Sequence, residues 1–180
     1  LGYTGWSNSE SLLKKIKEDI ETLKKENRIV VVNFHWGIER EYYPNSVQKY
    51  LAKYSIDNGA DLIVSHHPHV VQGIELYKGK IIAYSLGNFC FGGNRNPSDK
   101  RTFILQIKFN FENSILKDTA IRVIPCNISS VSGKNNYQPT PMKGKEKADF
   151  LKFINDISPK NNFNISDEFF YLGNLNENKN

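Results

Sequence analysis

Apolar runs alternate with segments of helical spacing along the first third of the chain. Apolar residues recur at three- and four-residue steps over 10–26, among lysine and glutamate, which predicts an amphipathic helix. The β-branched run at 28–34 is typical of a buried parallel strand. A second helix is predicted between Pro44 and Gly59, and a second buried strand at 61–65. Strand, helix and strand in this order predict a βαβ unit, so both strands should end at the same edge of an α/β sheet.

The remainder of the chain changes to short strands and turns. Lys78-Gly79 separates two of these strands as a tight hairpin, and this favours mainly antiparallel pairing. A helix with one apolar face is predicted at about 144–157, and polar residues dominate the segment beyond it. We therefore expect a domain at residues 1–157 and a partly irregular tail at 158–180. The predicted strands are 70–77, 80–85, 101–109 and 114–125.

All four histidines of the chain follow the ends of predicted buried strands. His35 follows the first strand, and the other three lie within residues 66–69 after the second. In open α/β sheets, ligands and catalytic groups gather at this carboxyl edge, and imidazole is the commonest side-chain metal ligand. His67 and His69 can point to the same side because side-chain direction alternates along an extended chain, and Pro68 fixes the turn between them. The pattern predicts a metal or acid–base site with His35, His67 and His69 as metal ligands.

A metal site of this kind also needs oxygen ligands, and two acidic residues are candidates. Glu39 follows His35 by four residues, whereas Asp61 stands at the start of its strand and therefore at the opposite edge of the sheet. Glu39 is preferred for this reason, and His35 and Glu39 are the predicted catalytic residues. A turn or capping role for Glu39 is an equally open alternative.

Three further residues are predicted to bind substrate. Arg40 could bind an anionic ligand, and His66 adjoins the paired histidines. Asn88 ends a segment, residues 85–88, that follows a strand and contains a glycine, which lets backbone approach a ligand closely. Asn88 could equally serve as a turn or capping residue.

Composition narrows the range of partners more than the range of folds. The 180-residue chain fits one domain, or one domain with an appendage, and its net charge is +5. The lysines are scattered without a basic stripe interleaved with aromatic residues, so nucleic acid is not an expected partner. The positive charge suits an anionic polymer or a phosphoester substrate. No apolar stretch approaches the roughly 18 residues that a transmembrane helix needs.

A longer string of motifs resembles one known family. In order, the string contains His35-Trp36-Gly37 with Glu39, Gly59-Ala60-Asp61, His66-His67-Pro68-His69 and Tyr84-Ser85-Leu86-Gly87-Asn88-Phe89. It is similar to that of the CapA family of poly-γ-glutamate capsule synthesis proteins. The resemblance implies a fold related to the calcineurin-like metallophosphoesterases, an α/β/β/α sandwich of two sheets flanked by helices, with two metal ions. By the same resemblance, His67 and His69 match the paired histidines of the last motif, and His35 matches the single histidine of the preceding motif.

The family's domain also begins with motifs that this sequence lacks. They are an Asp-bearing strand, an Asn-Glu motif and an Asn-Asn-His motif, and none of them occurs here. The resemblance therefore implies that this chain supplies the second half of the domain, a βαβ unit followed by mainly antiparallel strands, with part of its sheet unpaired. The missing N-terminal half or another chain would complete the site for a divalent metal, whether Mn, Zn, Fe or Mg. The chain alone would then bind metal poorly.

The resemblance implies a function in making or exporting poly-γ-glutamate or a related capsule-type polymer. The protein would then lie at the surface of a bacterial cell, held by a membrane anchor outside this chain, with polymer-synthase membrane subunits as partners. Two alternatives stay open: a metal-dependent phosphoesterase of unknown substrate, and a degenerate domain that only binds. Whether the chain is an enzyme, such as a metal-dependent hydrolase, is therefore left open by the sequence.

Overall fold

The computed structural model of the chain describes residues 1–26, 28–159 and 163–173. These residues form two compact units. The first unit consists of Leu1–Gly87 together with Ile157–Pro159, and the second contains the other described residues. Both units mix strands with helix, as the α/β fold class requires.

A five-stranded sheet forms the centre of the first unit. Its strands are β1 (Gly2–Gly5), β2 (Val31–Trp36), β3 (Leu62–His66), β4 (Ile74–Tyr77) and β5 (Lys80–Ala83). The strand order is β1-β2-β3-β5-β4, in which β1, β2, β3 and β5 run parallel and β4 runs antiparallel to β5. The predicted βαβ unit is confirmed, because β2 and β3 pair in parallel and end at the same edge.

Two helices accompany this sheet, and each begins at a capping residue. In α1 (Glu10–Lys25) the Ser9 hydroxyl accepts a hydrogen bond from a backbone N–H of the first turn. In α2 (Ser46–Asp57) the Asn45 and Gln48 side chains form a reciprocal capping box. Both helices lie within one or two residues of their predicted bounds. None of the described helices combines the length and the apolar character that crossing a bilayer would require.

The core of the first unit lies between the helices and one face of the sheet. Ile16 and Ile20 of α1 and Leu51 of α2 are completely buried. Phe34 and Trp36 alternate with exposed residues along β2 and stack with ring centroids 4.4 Å apart. Burying each such side chain stabilises the fold by about 1.5–3 kcal/mol. This alternation places His35, which lies between the two aromatic residues, on the other, exposed face.

Strand β1 was not predicted, and it occupies one side of β2. The segment contains Gly2 and Gly5, which lack the β-branched side chains that indicate strands. Backbone pairing forms it nevertheless, and the Leu1 amino group donates a hydrogen bond of 2.9 Å to the Val31 carbonyl. This side of β2 is therefore paired, but β1 is itself the edge strand of the described sheet, so the expectation that part of the sheet lacks a partner strand stays a prediction.

The hairpin of β4 and β5 differs from its prediction in one respect. Lys78 and Gly79 form the expected tight turn, both with positive φ. However, β5 also pairs in parallel with β3, so it extends the parallel sheet rather than starting an antiparallel one. The predicted strand at 70–77 is shorter than expected and begins at Ile74.

The second unit is built on a long antiparallel hairpin. Its strands β6 (Arg101–Glu112) and β7 (Ile115–Asn127) pair along nearly their whole length. Two short strands, β8 (Thr140–Pro141) and β9 (Phe170–Tyr171), also pair with β7. Helix α3 (Gly144–Ile157) has the predicted bounds.

The predicted division between residues 1–157 and a tail at 158–180 stays a prediction. The tail lies partly outside the described residues, which do not include 160–162 and 174–180. Within its described part, strand β9 joins the second unit through its pairing with β7.

Candidate metal centre

The candidate site lies where β2 and β3 end. His35 and His66 are partners in the parallel register, so the end of β2 lies beside the turn that follows β3. The rings of His35 and His67 have centroids 4.6 Å apart, and those of His67 and His69 are 5.8 Å apart. The imidazoles that the sequence placed at one edge of the sheet therefore do meet there.

Three side chains at this edge are arranged to share one ion. One ligand atom from each of Glu39, His67 and His69 lies within 4.8 Å of the others. Glu39 is the oxygen ligand that the sequence favoured, whereas His35 lies beside His67 but outside this group, and its role as a metal ligand stays a prediction. Within the described part of the chain, no other group of three such residues was found.

A backbone hydrogen bond joins the two loops that carry these ligands. The N–H of Arg40 donates to the carbonyl of Pro68 over 2.7 Å. Arg40 directly follows Glu39, and Pro68 lies between His67 and His69. The bond therefore holds the backbone next to Glu39 close to the histidine turn without using any of their side-chain atoms.

A buried pair of amide side chains supports the loop that carries Glu39. Gln48 donates from Nε2 to Oε1 of Gln72 over 2.8 Å, and Gln72 donates from Nε2 to the Glu41 carbonyl over 2.8 Å. The Gln48 Oε1 atom also accepts a hydrogen bond from the Asn45 backbone. Both glutamines are almost completely buried, and breaking such a bond inside the protein costs about 1–3 kcal/mol. The network thus ties the loop to α2 and to the chain that follows the histidine turn.

Three non-glycine residues of the site have strained backbone conformations. The φ angles of Arg40, His67 and His69 are 65°, 107° and 58°. A residue in this region costs on the order of 1–3 kcal/mol, and such residues persist where the surrounding structure determines them. Their concentration in the two ligand-bearing loops is typical of a functional site.

Trp6 covers one side of the histidines. Its ring meets His67 edge-on at a centroid distance of 4.5 Å and His35 at 5.5 Å. The Trp6 side chain is 54% exposed, so it borders the site and solvent together. Trp6 was not predicted because it follows β1, a strand that the local sequence does not indicate.

The histidine pKa values favour the form that binds metal. The pKa of His67 lies below its usual value because burial removes water from its ring and because His35 and His69 disfavour its charge, although Glu39 acts in the opposite direction. The His66 side chain keeps some exposed surface, but crowding by protein atoms, and then the charge of His35, lower its pKa as well. Both imidazoles are therefore neutral at neutral pH, as a metal ligand must be.

Asp61 stands apart from the candidate centre, as its position at the start of β3 predicted. Its carboxylate accepts hydrogen bonds from Lys24 Nζ at 2.7 Å, Lys80 Nζ at 2.9 Å and the Val30 N–H at 2.9 Å. Burial raises the pKa of Asp61, but these three donors lower it further, so the net pKa lies below its usual value. Asp61 therefore has a structural role.

The remaining predicted residues differ in their surroundings. His66 and Arg40 are exposed at the carboxyl edge of the first unit. Asn88 is a buried residue of the second unit. A substrate-binding role for each of these three residues stays a prediction, as does a catalytic role for His35 and Glu39.

The donor set fits a divalent cation. Two imidazoles and one carboxylate are a known three-ligand combination for zinc, which then has a further position for water or substrate. Glu39, His67 and His69 could therefore hold one ion, and a second ion would need ligands beyond these three.

The protein is thus a mixed α/β protein with a candidate metal centre of two histidines and one glutamate at the carboxyl edge of a parallel sheet. The sequence model of one family, described as bacterial capsule synthesis protein PGA_cap, matches residues 3–93, and the chain belongs to this family. The expected CapA membership is thus confirmed. The family has a metallophosphoesterase-like fold, with which the observed parallel and antiparallel sheets agree.

Two curated relatives support this membership. The chain is 41% identical over 127 residues to the capsule biosynthesis protein CapA of Bacillus anthracis, covering 71% of this chain and 30% of that protein. It is 54% identical over 72 residues to the PGA biosynthesis protein CapA of Bacillus subtilis (strain 168), covering 40% of this chain and 19% of that protein. The chain therefore spans less than a third of the length of either relative.

Proposed function

We propose that the chain acts in the synthesis or export of poly-γ-glutamate, or a related capsule-type polymer, in a bacterial cell envelope. The relatives named for capsule and PGA biosynthesis support this proposal, as does membership of the capsule synthesis family. The names favour this function over a free phosphoesterase or a degenerate binding domain. The proposed partners are the anionic polymer, membrane subunits of its synthase, and whatever segment or chain completes the family's domain.

The observation that carries the chemical part of the proposal is the grouping of Glu39, His67 and His69 within 4.8 Å. We propose that these three side chains hold one divalent cation. Such a cation, when bound, polarises an acceptor oxygen and makes a bound water more acidic.

Neighbouring residues have separate proposed parts in this site. His35 lies against His67 but outside the ligand group, so its ring nitrogens remain able to accept or donate a proton. Trp6 covers one side of the ligands and limits their access to water. Arg40 places a positive charge in the same loop as Glu39, where it can attract an anionic substrate.

Complementation of a polymer-negative strain tests the proposal. In a bacterium that makes poly-γ-glutamate, the gene for the full-length protein is deleted and replaced by the wild type, His67→Ala, Glu39→Gln or Glu41→Gln. Glu41 is the matched control because it lies in the same loop and contributes only its backbone carbonyl to the network. We expect the wild type and Glu41→Gln to restore the polymer, and the two ligand variants to produce at least about tenfold less, since metal-site residues carry effects of that size.

Two results would contradict the proposal. Normal polymer production in the deleted strain would show that the protein is not needed for polymer synthesis or export. Full restoration by His67→Ala, at wild-type protein levels on an immunoblot, would show that polymer production does not require the proposed metal site.

A further inference from the structure

A groove lined by two cations and an aromatic ring lies on the β6–β7 hairpin of the second unit. Its volume is about 490 Å³, and strand residues and Phe169 line it. Lys108 Nζ lies 3.8 Å from the centroid of the Phe169 ring, and Arg122 Cζ lies 4.7 Å from it. Gln106, the register partner of Arg122, accepts a hydrogen bond from Arg122 Nε. The guanidinium is thus held in place at the ring.

Within the described part of the chain, these two cations have no paired carboxylate. Among the described residues, neither Lys108 nor Arg122 forms a salt bridge with a carboxylate. The pKa of Asp167 is lowered mainly by its hydrogen bond with Lys147 Nζ at 2.5 Å and less by the charge of Arg122. Its carboxylate is therefore paired with Lys147. The groove therefore has an excess of positive charge beside an apolar ring.

A second aromatic ring with two cations shows that the chain can supply counter-charges. Lys53 and Lys78 lie 5.1 and 5.4 Å from the centroid of the Tyr77 ring. Lys53 pairs with Glu75 at 2.9 Å, and Lys78 pairs with Asp57 at 2.6 Å. The same arrangement is therefore charge-balanced at Tyr77 and unbalanced at Phe169.

We propose that the groove at Lys108, Arg122 and Phe169 binds the γ-glutamyl chain through its carboxylates. The identity of the polymer rests on the proposed function, whereas the need for an anion rests on the groove itself. A γ-linked glutamyl chain carries one free carboxylate and two methylenes per residue. The Arg122 guanidinium can bind one carboxylate through two parallel hydrogen bonds, and the Lys108 ammonium can attract the next carboxylate as a point charge. The Phe169 ring offers an apolar surface to the methylenes between them.

Binding of purified poly-γ-glutamate to the full chain tests this inference. Affinity is measured by isothermal titration calorimetry at fixed ionic strength for the wild type and for the double variant Lys108→Gln/Arg122→Gln. The matched control is Lys53→Gln/Lys78→Gln, which removes the same charge from the balanced ring. We expect the groove variant to bind about tenfold more weakly, because both cations that would pair with carboxylates are gone, and the control to bind like the wild type.

Several outcomes would overturn the inference. They are no binding by the wild type, equal weakening in both double variants, or equal binding of polymer whose carboxylates are methyl-esterified. Equally strong competition by polyphosphate would overturn the choice of carboxylate as the ligand. Thermal unfolding verifies that each variant is folded. If the groove double variant does not fold, the single variant Lys108→Gln is measured in its place.

The two proposals fail in different experiments. If the groove variant binds normally in vitro while His67→Ala fails to restore polymer in cells, only the groove is wrong. If the groove variant loses binding while the deleted strain makes normal polymer, the groove binds carboxylate chains but the proposed cellular function is wrong.

Discussion

At the scale of single residues, the candidate centre depends on a glycine that is not a ligand. Gly37 follows Trp36 with φ +87°, which turns the chain out of β2 towards Glu39. A Cβ atom at this position would lie 2.8 Å from the Gln48 side chain. Gln48 is 1% exposed and bonded to both Asn45 and Gln72, so it cannot move away without breaking buried hydrogen bonds.

Replacing Gly37 should therefore cost more than backbone strain alone. Gly79→Ala is the matched control, because Gly79 also has positive φ, +73°, but a Cβ there meets no atom within 4 Å. We expect Gly79→Ala to lower the free energy of unfolding by about 1 kcal/mol and Gly37→Ala by about 2–4 kcal/mol, measured by urea denaturation. Equal losses in the two variants would show that Gln48 moves without penalty.

At the scale of elements, Asp61 joins three parts of the first unit. Lys24 belongs to α1, Lys80 to β5, and the Val30 N–H directly precedes β2. The Asp61 side chain is only 6% exposed, so its charge depends on these donors for stabilisation. Removing that charge should weaken the anchoring of α1 to the sheet.

The contribution of Asp61 should depend on pH. Because its pKa is lowered in the folded state, its stabilisation is complete above the ordinary carboxyl pKa of about 4 and is lost as pH falls through the lower folded value. We expect Asp61→Asn to lower the free energy of unfolding by about 1–3 kcal/mol at pH 7, and the difference from the wild type to shrink below about pH 4.

Urea denaturation at pH 7, 5 and 3 measures this difference. The control is Glu21→Gln, whose exposed pair with Lys17 on α1 should contribute less than about 0.5 kcal/mol. A difference between wild type and Asp61→Asn that stays constant from pH 7 to 3 would show that the Asp61 charge does not stabilise the fold.

The sequence predicted the elements whose patterns are strong and missed three short strands, β1, β8 and β9, whose patterns are weak. Helices α1, α2 and α3 and strands β2 and β3 have clear periodicity or β-branched runs, so their positions followed from local sequence. Strand β1 has two glycines in four residues and forms because β2 offers it a backbone to pair with. Such long-range pairing leaves no local signal.

Only part of the candidate metal site could be predicted, because some of its contacts follow from local sequence and others from long-range contacts. Parallel strands place His35 near the histidine turn, and this was deducible from the βαβ order. The approach of Glu39 to His67 and His69 depends on the bond from Arg40 to Pro68 and on two positive-φ histidines. Neither feature follows from residue spacing.

At the scale of the whole molecule, the two proposed sites lie in different units. All three proposed metal ligands belong to the first unit, and both cations of the groove belong to the second. The named residues of each site therefore belong to one unit, and each set can be substituted without changing a residue of the other. With three protein ligands, the first unit should bind one divalent ion rather than the two of a metallophosphoesterase.

Zinc titration of the tag-free chain by isothermal titration calorimetry tests the central claim most directly. We expect one Zn²⁺ per chain, binding at least about tenfold weaker in Glu39→Gln, His67→Ala and His69→Ala, and unchanged binding in Glu41→Gln. An absence of binding by the wild type, or wild-type affinity in His67→Ala and His69→Ala, would contradict the account.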